Sequence, residues 1–202
     1  MAFIHQVTDD EATGRAAELF DADRAALGYV PNYTRLFAHR PAVYDAWAQL
    51  NGAIKANMEL RRYELATLAA ARELRSSYCS LAHGKVIATK FMPAQDVRDV
   101  ATGAPTGAVD ELDRAVMALV TKLVRDAGSV TQADLDGLVG LGLAETDVLD
   151  VVLAAAARCF FSTVLDALGA LPDAAYGQLE PGLREALTVG RPIEGGDAVP
   201  AP

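Results

Sequence analysis

Apolar residues along most of this chain recur at the three- and four-residue spacing that is typical of α-helices. The clearest stripe lies between residues 111 and 127 and comprises Leu112, Val116, Leu119, Val120, Leu123 and Val124. No segment alternates apolar and polar residues with the β-branched enrichment of strands. The pattern therefore predicts an all-α protein of roughly eight helices that pack against one another.

Capping residues and helix-ending residues predict where several of these helices begin and end. Thr8 with Glu11 forms a capping-box pattern that predicts the start of the first helix, and Gly28 predicts its end. Pro41 suits the first turn of a later helix. Further helices are predicted at about residues 33–39, 59–74, 77–91, 111–127, 131–140 and 145–168.

The same pattern predicts one all-α domain over residues 1–190, with a catalytic half at about 1–92 and a second half at about 110–190. Residues 93–109 are the least apolar internal stretch, and we expect an exposed loop between the halves there. Residues 191–202 are rich in proline and glycine. We expect them to form a flexible tail or to lie across another subunit.

Composition narrows the classes of protein to which the chain can belong. Its 202 residues are 51% hydrophobic and 22% charged, which is typical of a globular protein. The net charge of −9 argues against a nucleic-acid-binding surface. The sequence shows no secretory signal and no apolar run near the ~20 residues of a membrane span. We therefore expect a cytoplasmic protein, whose two distant cysteines are free thiols and form no metal site.

Residues 58–91 contain the candidate catalytic residues. Cys79 and His83 are four residues apart, so a helix places them on one face, where the imidazole can exchange a proton with the thiol. Glu64 lies fifteen residues before Cys79 and joins them only if the chain bends, which the sequence favours at residues 75–77. Ser76 suits the N-cap of the second helix. Cys79 then lies in a first helical turn, where backbone N–H groups favour the thiolate.

Each of these residues also has a structural interpretation. Cys79 can be a small buried apolar residue, and His83 a hydrogen-bonded histidine of the core. Glu64 can pair with Arg61 or Arg72 at the surface. A Cys/His pair at this spacing does not by itself decide between structure and catalysis.

The run E64-x11-S76-x2-C79-x3-H83 resembles the signature of the alkylhydroperoxidase D and carboxymuconolactone decarboxylase family, which is E-x11-C-x2-C-x3-H. The resemblance extends from residues 28–32 to Leu171 and is similar to the two-part, peroxidase-related branch of that family. It implies the alkylhydroperoxidase D-like (AhpD-like) helical bundle and a homo-oligomer. It gives no reason to expect a metal ion or a cofactor.

The resemblance also implies roles for individual residues. Cys79 matches the nucleophile, His83 and Glu64 match the residues that handle its proton, and Tyr78 matches a position that can join this relay. Ser76 stands where the family has a second cysteine, and a serine cannot close a disulfide with Cys79. Cys159, beside two phenylalanines, is predicted to be a buried structural residue that resolves oxidised Cys79 only if folding or a neighbouring subunit brings the two together.

Three functions remain open from the sequence. The first is a thiol-dependent hydroperoxide reductase, in which an external thiol regenerates Cys79 because Ser76 cannot. The second is a lyase of the carboxymuconolactone decarboxylase type, which acts on a lactone through acid–base chemistry of His83 and Glu64. The third is a non-catalytic scaffold with the same fold.

A short sequence motif of the first half is repeated in the second half. Residues 69–72 and 155–158 both read Ala-Ala-Ala-Arg, and aligning them places Asp150 opposite Glu64. Leu165 and Gly169 then stand opposite Cys79 and His83. If the halves are duplicates, the second has kept an acid and lost the thiol chemistry.

Overall fold

Ten α-helices form most of residues 2–196, the part of the chain that the structure, a computed structural model, describes. Two short 3-10 helices, Ala127–Ser129 and Ala174–Gln178, complete the regular structure of these residues. The α-helices are Arg15–Leu27 (α1), Asn32–Phe37 (α2), Pro41–Ala56 (α3), Leu60–Glu73 (α4), Ser77–Lys90 (α5), Ala94–Thr102 (α6), Glu111–Arg125 (α7), Gln132–Gly140 (α8), Glu145–Ala167 (α9) and Pro181–Leu187 (α10).

The all-α prediction is confirmed, but the predicted count of eight helices is two too low. The two missed helices are α6, which lies in the predicted loop, and α10. Each buries only two side chains one turn apart, Val97 with Ala101 in α6 and Leu183 with Leu187 in α10. Two apolar positions are too few to show a helical period in the sequence.

The predicted start of the first helix is wrong, although one contact of the capping box forms. The Glu11 carboxylate accepts hydrogen bonds from both the backbone N–H and the hydroxyl of Thr8. These contacts close an isolated turn, and α1 begins only at Arg15, after Gly14 at φ 51°. Gly28 ends α1 as predicted, with φ 83° in the left-handed region that glycine adopts without strain.

Helix α4 lies at the centre of the fold and packs against α5, α7 and α9. Nine of its 14 residues are buried, and four of these are alanines whose small side chains let the neighbouring helices approach closely. A polar side chain on this helix is therefore enclosed by protein on most sides. Glu64 is the second residue of this buried stretch, which runs from residue 63 to residue 71.

The two predicted halves share one core, because α4 of the first half packs against α7 and α9 of the second. Residues 191–196, which the sequence assigns to a tail, lie against the body of the chain, where the Glu194 N–H donates to the Pro172 carbonyl at 2.9 Å. The remainder of the predicted tail, residues 197–202, lies outside the described residues.

Helix α9 is long and apolar enough, by length and composition alone, to cross a membrane. It is the one such helix among residues 2–196. Half of its most apolar window is buried, and it packs against α3, α4 and α7. Core helices of helical proteins meet the same length and hydropathy criterion, so this finding is weak evidence for a membrane span.

The outer surface carries large apolar side chains on two neighbouring helices. Val43 and Leu50 of α3 are exposed, and so are Leu149, Leu153 and Phe160 of α9. Helices α3 and α9 pack against each other. Apolar surface of this kind is common at subunit interfaces, and the homo-oligomer stays a prediction.

Candidate functional site

A sharp chain reversal between α4 and α5 brings Glu64 and His83 together. Leu74 ends α4, Arg75 adopts φ 56°, and Ser76 is the N-cap of α5. Arg75 is the one non-glycine residue with positive φ among the described residues, so the local backbone is strained. The predicted bend at residues 75–77 is therefore confirmed, and α5 packs along α4.

Glu64 and His83 form a short buried contact across this α4–α5 pair. Oε2 of Glu64 lies 2.6 Å from Nδ1 of His83, and the Glu64 side chain is 1% exposed. Its other oxygen, Oε1, accepts a hydrogen bond from Nζ of Lys55 at 3.1 Å. Lys55 lies near the end of α3 and is 42% exposed. The carboxylate thus connects the buried imidazole with an ammonium group at the surface.

The surface alternative for Glu64 is wrong. Arg61 instead pairs with the fully buried Asp113 of α7. Arg72 donates a hydrogen bond to the backbone carbonyl of Ala186 at 2.6 Å. Both arginines therefore have other partners. The Glu64 carboxylate instead contacts His83 and Lys55.

The charges of the pair follow from its surroundings. Burial, followed by the charge of Arg158, lowers the pKa of His83 to about 4, although Glu64 acts in the opposite direction. Burial acts to raise the pKa of Glu64, but His83 and Lys55 outweigh it and lower this pKa. Near neutral pH the pair is a carboxylate and a neutral imidazole. A carboxylate only accepts, so we assign the proton to Nδ1, which leaves Nε2 free to accept another.

Acid should weaken the fold through His83. Its folded-state pKa of about 4 lies below the ordinary 6.5, so between these values the unfolded chain binds a proton that the folded chain does not. Stability is therefore fully present above pH 6.5 and falls as the pH drops. His83→Asn keeps an N–H donor for Glu64 but does not titrate, so its stability should fall less steeply from pH 6.5 to 4.5. Urea unfolding of both proteins at several pH values measures this, and equal slopes would contradict it.

Cys79 lies in the first turn of α5, as predicted, and is 2% exposed. Its sulfur has a charged neighbour that the sequence does not indicate: Nη1 of Arg158 lies 3.5 Å from Sγ. Arg158 belongs to α9 and is 4% exposed. A buried guanidinium at this distance stabilises negative charge that develops on the sulfur, as does the N-terminus of the helix.

The Arg158 guanidinium lies beside two stacked aromatic rings. Its Cζ lies 5.9 Å from the centre of the Trp47 ring and 5.6 Å from that of Phe161. Burial acts to lower the pKa of Arg158, but Cys79 and then Tyr63 outweigh it and raise this pKa. Among the described residues no carboxylate forms an ion pair with Arg158. Cys79 and Tyr63 are thus the acidic side chains that interact with this buried charge.

Ser76 occupies the predicted N-cap position, but its hydroxyl makes no cap hydrogen bond. The residue is fully buried, and its Oγ has no hydrogen-bond partner among the described residues. Ser76 stands three residues before Cys79, where the signature that the sequence resembles has a cysteine. The capping part of the prediction is therefore wrong, whereas the position of Ser76 at the helix start is confirmed.

Tyr78 makes its contacts on a different side of α5. Its hydroxyl donates to Oδ2 of Asp173 and lies 3.4 Å from the donating N–H of Tyr33. Oδ1 of Asp173 accepts the N–H of Asn32 at 2.8 Å, and burial raises the Asp173 pKa. Tyr78 makes no hydrogen bond to Glu64 or His83. These contacts tie α5 to α2 and to residue 173, and participation of Tyr78 in a proton relay stays a prediction.

Cys159 follows Arg158 in α9 and is half-buried, not buried as the sequence suggests. Burial raises the pKa of its thiol, although the charge of Arg158 acts in the opposite direction. Both cysteines are free in the structure. A role for Cys159 in resolving oxidised Cys79 stays a prediction.

Sequence reasoning missed three polar residues of this region: Lys55, Arg158 and Asp173. Arg158 left a signal, because it is a basic residue within the alanine- and phenylalanine-rich stretch 154–161 of an otherwise apolar helix. A charge in such a stretch needs a partner or a function. Lys55 and Asp173 have ordinary polar neighbours in the sequence, so nothing in the sequence indicates that they belong to the site.

Comparison with solved structures identifies the fold. The alkylhydroperoxidase AhpD core of Ralstonia eutropha JMP134, an uncharacterized peroxidase-related protein, matches with a TM-score of 0.78 and 18% identity over 87% of this chain and 94% of that chain. An uncharacterized peroxidase-related protein from Silicibacter sp. TM1040 matches with a TM-score of 0.78 and 18% identity, over 88% and 94% of the two chains.

A third structure with this fold is the debrominase Bmp8, solved as an alanine variant in complex with 2,3,4-tribromopyrrole. It matches with a TM-score of 0.69 and 15% identity, over 90% of this chain and 94% of that chain. No protein-family profile matches the sequence, and no curated protein matches it significantly. The structural matches confirm the predicted fold: the chain has the AhpD-like helical fold of the peroxidase-related proteins.

Proposed function

We propose that this protein is a thiol-dependent hydroperoxide reductase whose nucleophile is Cys79. One observation carries the proposal: the Cys79 sulfur lies in a first helical turn, 3.5 Å from the buried Arg158 guanidinium. These surroundings stabilise negative charge on the sulfur, and the sulfur must be negatively charged to attack a peroxide. The AhpD-like fold, shared with peroxidase-related proteins, is consistent with this chemistry.

Glu64 and His83 supply the proton transfers of the proposed reaction. His83 Nε2 takes the proton of the Cys79 thiol, while Glu64 holds the opposite ring nitrogen in place. The thiolate attacks the terminal oxygen of the hydroperoxide, so that an S–O bond forms and the O–O bond breaks. The leaving oxygen takes the proton from His83. The products are a Cys79 sulfenic acid and an alcohol, with sulfur oxidised by two electrons and the peroxide reduced by two.

Regeneration of Cys79 requires a thiol from outside the first turn of α5. Ser76 cannot form a disulfide with Cys79, and Cys159, the other cysteine, belongs to a different helix, α9. One external thiol condenses with the sulfenic acid and releases water, and a second reduces the resulting mixed disulfide. We therefore propose a small-molecule hydroperoxide as the substrate and an external thiol as the reductant.

Hydroperoxide consumption by the purified protein, assayed with several thiol donors, tests the proposal. We expect one alcohol formed per hydroperoxide consumed, and a rate that depends on the donor. The brominated pyrrole of the structurally similar debrominase belongs in the same panel, because a thiolate can also attack halogenated rings. Absence of thiol-dependent turnover with every hydroperoxide would contradict the proposed activity and would favour the non-catalytic scaffold.

A lyase of the carboxymuconolactone decarboxylase type is the second candidate. The Glu64–His83 pair favours it, because a carboxylate that orients a neutral imidazole can perform acid–base catalysis without a thiol. The two candidates differ in their need for Cys79. Conversion of a lactone that survives Cys79→Ser would favour the lyase over the reductase.

The variant Ser76→Cys should create a redox-active cysteine pair. The two positions are the N-cap and third residue of α5, so their side chains lie one helical turn apart. Mild peroxide should then give a 76–79 disulfide, whereas the wild type should stop at a sulfenic acid that dimedone traps. Because the Ser76 hydroxyl makes no cap hydrogen bond, the substitution removes no cap interaction.

Mass spectrometry without reduction identifies these products. A wild-type disulfide between Cys79 and Cys159 would contradict the expectation, since it would show that Cys159 resolves oxidised Cys79. A Ser76→Cys protein that forms no disulfide would show that positions 76 and 79 lack the required geometry.

We also propose that the protein acts as a homo-oligomer in the cytoplasm. The exposed apolar side chains of α3 and α9 support the first part, because they offer a surface for a second copy of the chain. The composition supports the second part.

A further inference from the structure

A buried guanidinium with unused hydrogen-bond donors lies beside the sulfur that the proposed reaction oxidises. Arg158 reaches Cys79 Sγ through Nη1 at 3.5 Å. Its Nε is buried and has no hydrogen-bond partner among the described residues. A guanidinium has five N–H donors, so contact with the sulfur leaves donors for another acceptor. Arg158 therefore has the means to bind the thiolate and a second group at once.

Within residues 2–196, Arg158 also has no carboxylate as an ion-pair partner. Glu64, a buried acid of the candidate site, has both carboxylate oxygens bound by His83 and Lys55. A buried charge without a partner destabilises a protein. A Cys79 sulfur that has lost its proton would supply this negative charge. When the thiolate reacts with a peroxide, negative charge moves to the leaving oxygen, and the guanidinium needs a new partner there.

The orientation of the guanidinium is restrained before any substrate arrives. Trp47 lies on one helix, α3, and Phe161 lies one turn along α9 from Arg158, and both rings are within 6 Å of its Cζ. The two rings stack on each other with centroids 4.1 Å apart. Donors that are fixed in advance stabilise a transition state more effectively than donors that must reorient.

We propose that Arg158 is a catalytic residue of the proposed hydroperoxide reduction. One N–H holds the Cys79 sulfur as a thiolate, and a second N–H binds an oxygen of the peroxide. The second contact positions the O–O bond for attack and stabilises the charge that develops on the leaving oxygen until His83 protonates it. This inference rests on the proposed function, because its second contact requires a peroxide.

Two measurements on the same variants separate the two contacts. Alkylation of Cys79 by iodoacetamide requires only the thiolate, whereas oxidation by a hydroperoxide, followed by dimedone trapping and mass mapping, requires both contacts. Arg158→Met should slow oxidation by about 10²- to 10³-fold and alkylation by about tenfold. Arg158→Lys keeps the charge but not the planar fork, so oxidation should slow by about tenfold or more while alkylation changes little.

Arg72→Met is the matched control. Arg72 ends the other Ala-Ala-Ala-Arg run and is partly buried, but it donates to Ala186 and does not contact Cys79. Both rates should stay near the wild-type values in this variant. Circular dichroism confirms that each variant is folded, and Arg158→Lys carries the test if Arg158→Met does not fold.

Oxidation and alkylation that fall by the same factor in Arg158→Lys would overturn the inference, because the peroxide contact would then be absent. Unchanged rates in both Arg158 variants would overturn it as well. A wild-type Cys79 that is alkylated but never oxidised by hydroperoxides would instead overturn the proposed function. The two failures are therefore distinguishable in one set of experiments.

Discussion

Replacing Cys79 with serine is expected to abolish thiol-dependent hydroperoxide consumption, with a fall on the order of 10³-fold or more. A serine hydroxyl has no accessible anion at neutral pH and cannot form a sulfenic acid. The substitution nearly conserves volume at a site that is 2% exposed, so the fold should survive. Steady-state consumption of a hydroperoxide, measured with the most effective thiol donor, gives the ratio of the wild-type rate to the variant rate.

Cys159→Ser is the matched control, because Cys159 is the other free cysteine and lies next to Arg158 in sequence. Its turnover should stay close to that of the wild type. A comparable loss in Cys159→Ser would contradict the assignment of Cys79 as the sole essential thiol and would give Cys159 the resolving role. Turnover that persists in Cys79→Ser would exclude Cys79 as the nucleophile.

Replacing Glu64 is expected to affect both turnover and stability. Glu64→Gln keeps an oxygen that accepts the Nδ1 proton of His83 but removes the negative charge, so turnover should fall by about 10²- to 10⁴-fold with little loss of stability. Glu64→Leu also removes the acceptor and leaves the buried N–H of His83 unpaired. Its free energy of unfolding should fall by about 1–3 kcal/mol. Turnover assays and urea unfolding measure the two effects.

Glu73→Gln provides the comparison within the same helix. Glu73 ends α4 and pairs with Arg125, whose side chain is 69% exposed. Exposed ion pairs contribute about 0–1 kcal/mol, so this variant should differ little from the wild type in stability or turnover. Wild-type turnover in Glu64→Gln would show that the buried carboxylate is a structural partner of His83 and takes no part in catalysis.

Local sequence signals predicted the elements of the candidate site but not all of its chemistry. The helical period, the bend at residues 75–77 and the first-turn position of Cys79 were predictable, because each depends on residues only a few positions apart. The same kind of signal misplaced the start of α1. A capping-box contact between Thr8 and Glu11 can form in an isolated turn, and Gly14 shows that the helix starts later.

By itself, then, the sequence determined that the chain is helical, that Ser76 begins a helix and that Cys79 and His83 share its face. Only the tertiary structure decided which charges surround them. Glu64 pairs with His83 because α4 and α5 pack side by side, and Lys55 reaches the same carboxylate from α3. Arg158 lies 79 residues from Cys79 and meets its sulfur only because α9 packs into the core. Such contacts depend on how helices pack, which a period of apolar residues does not specify.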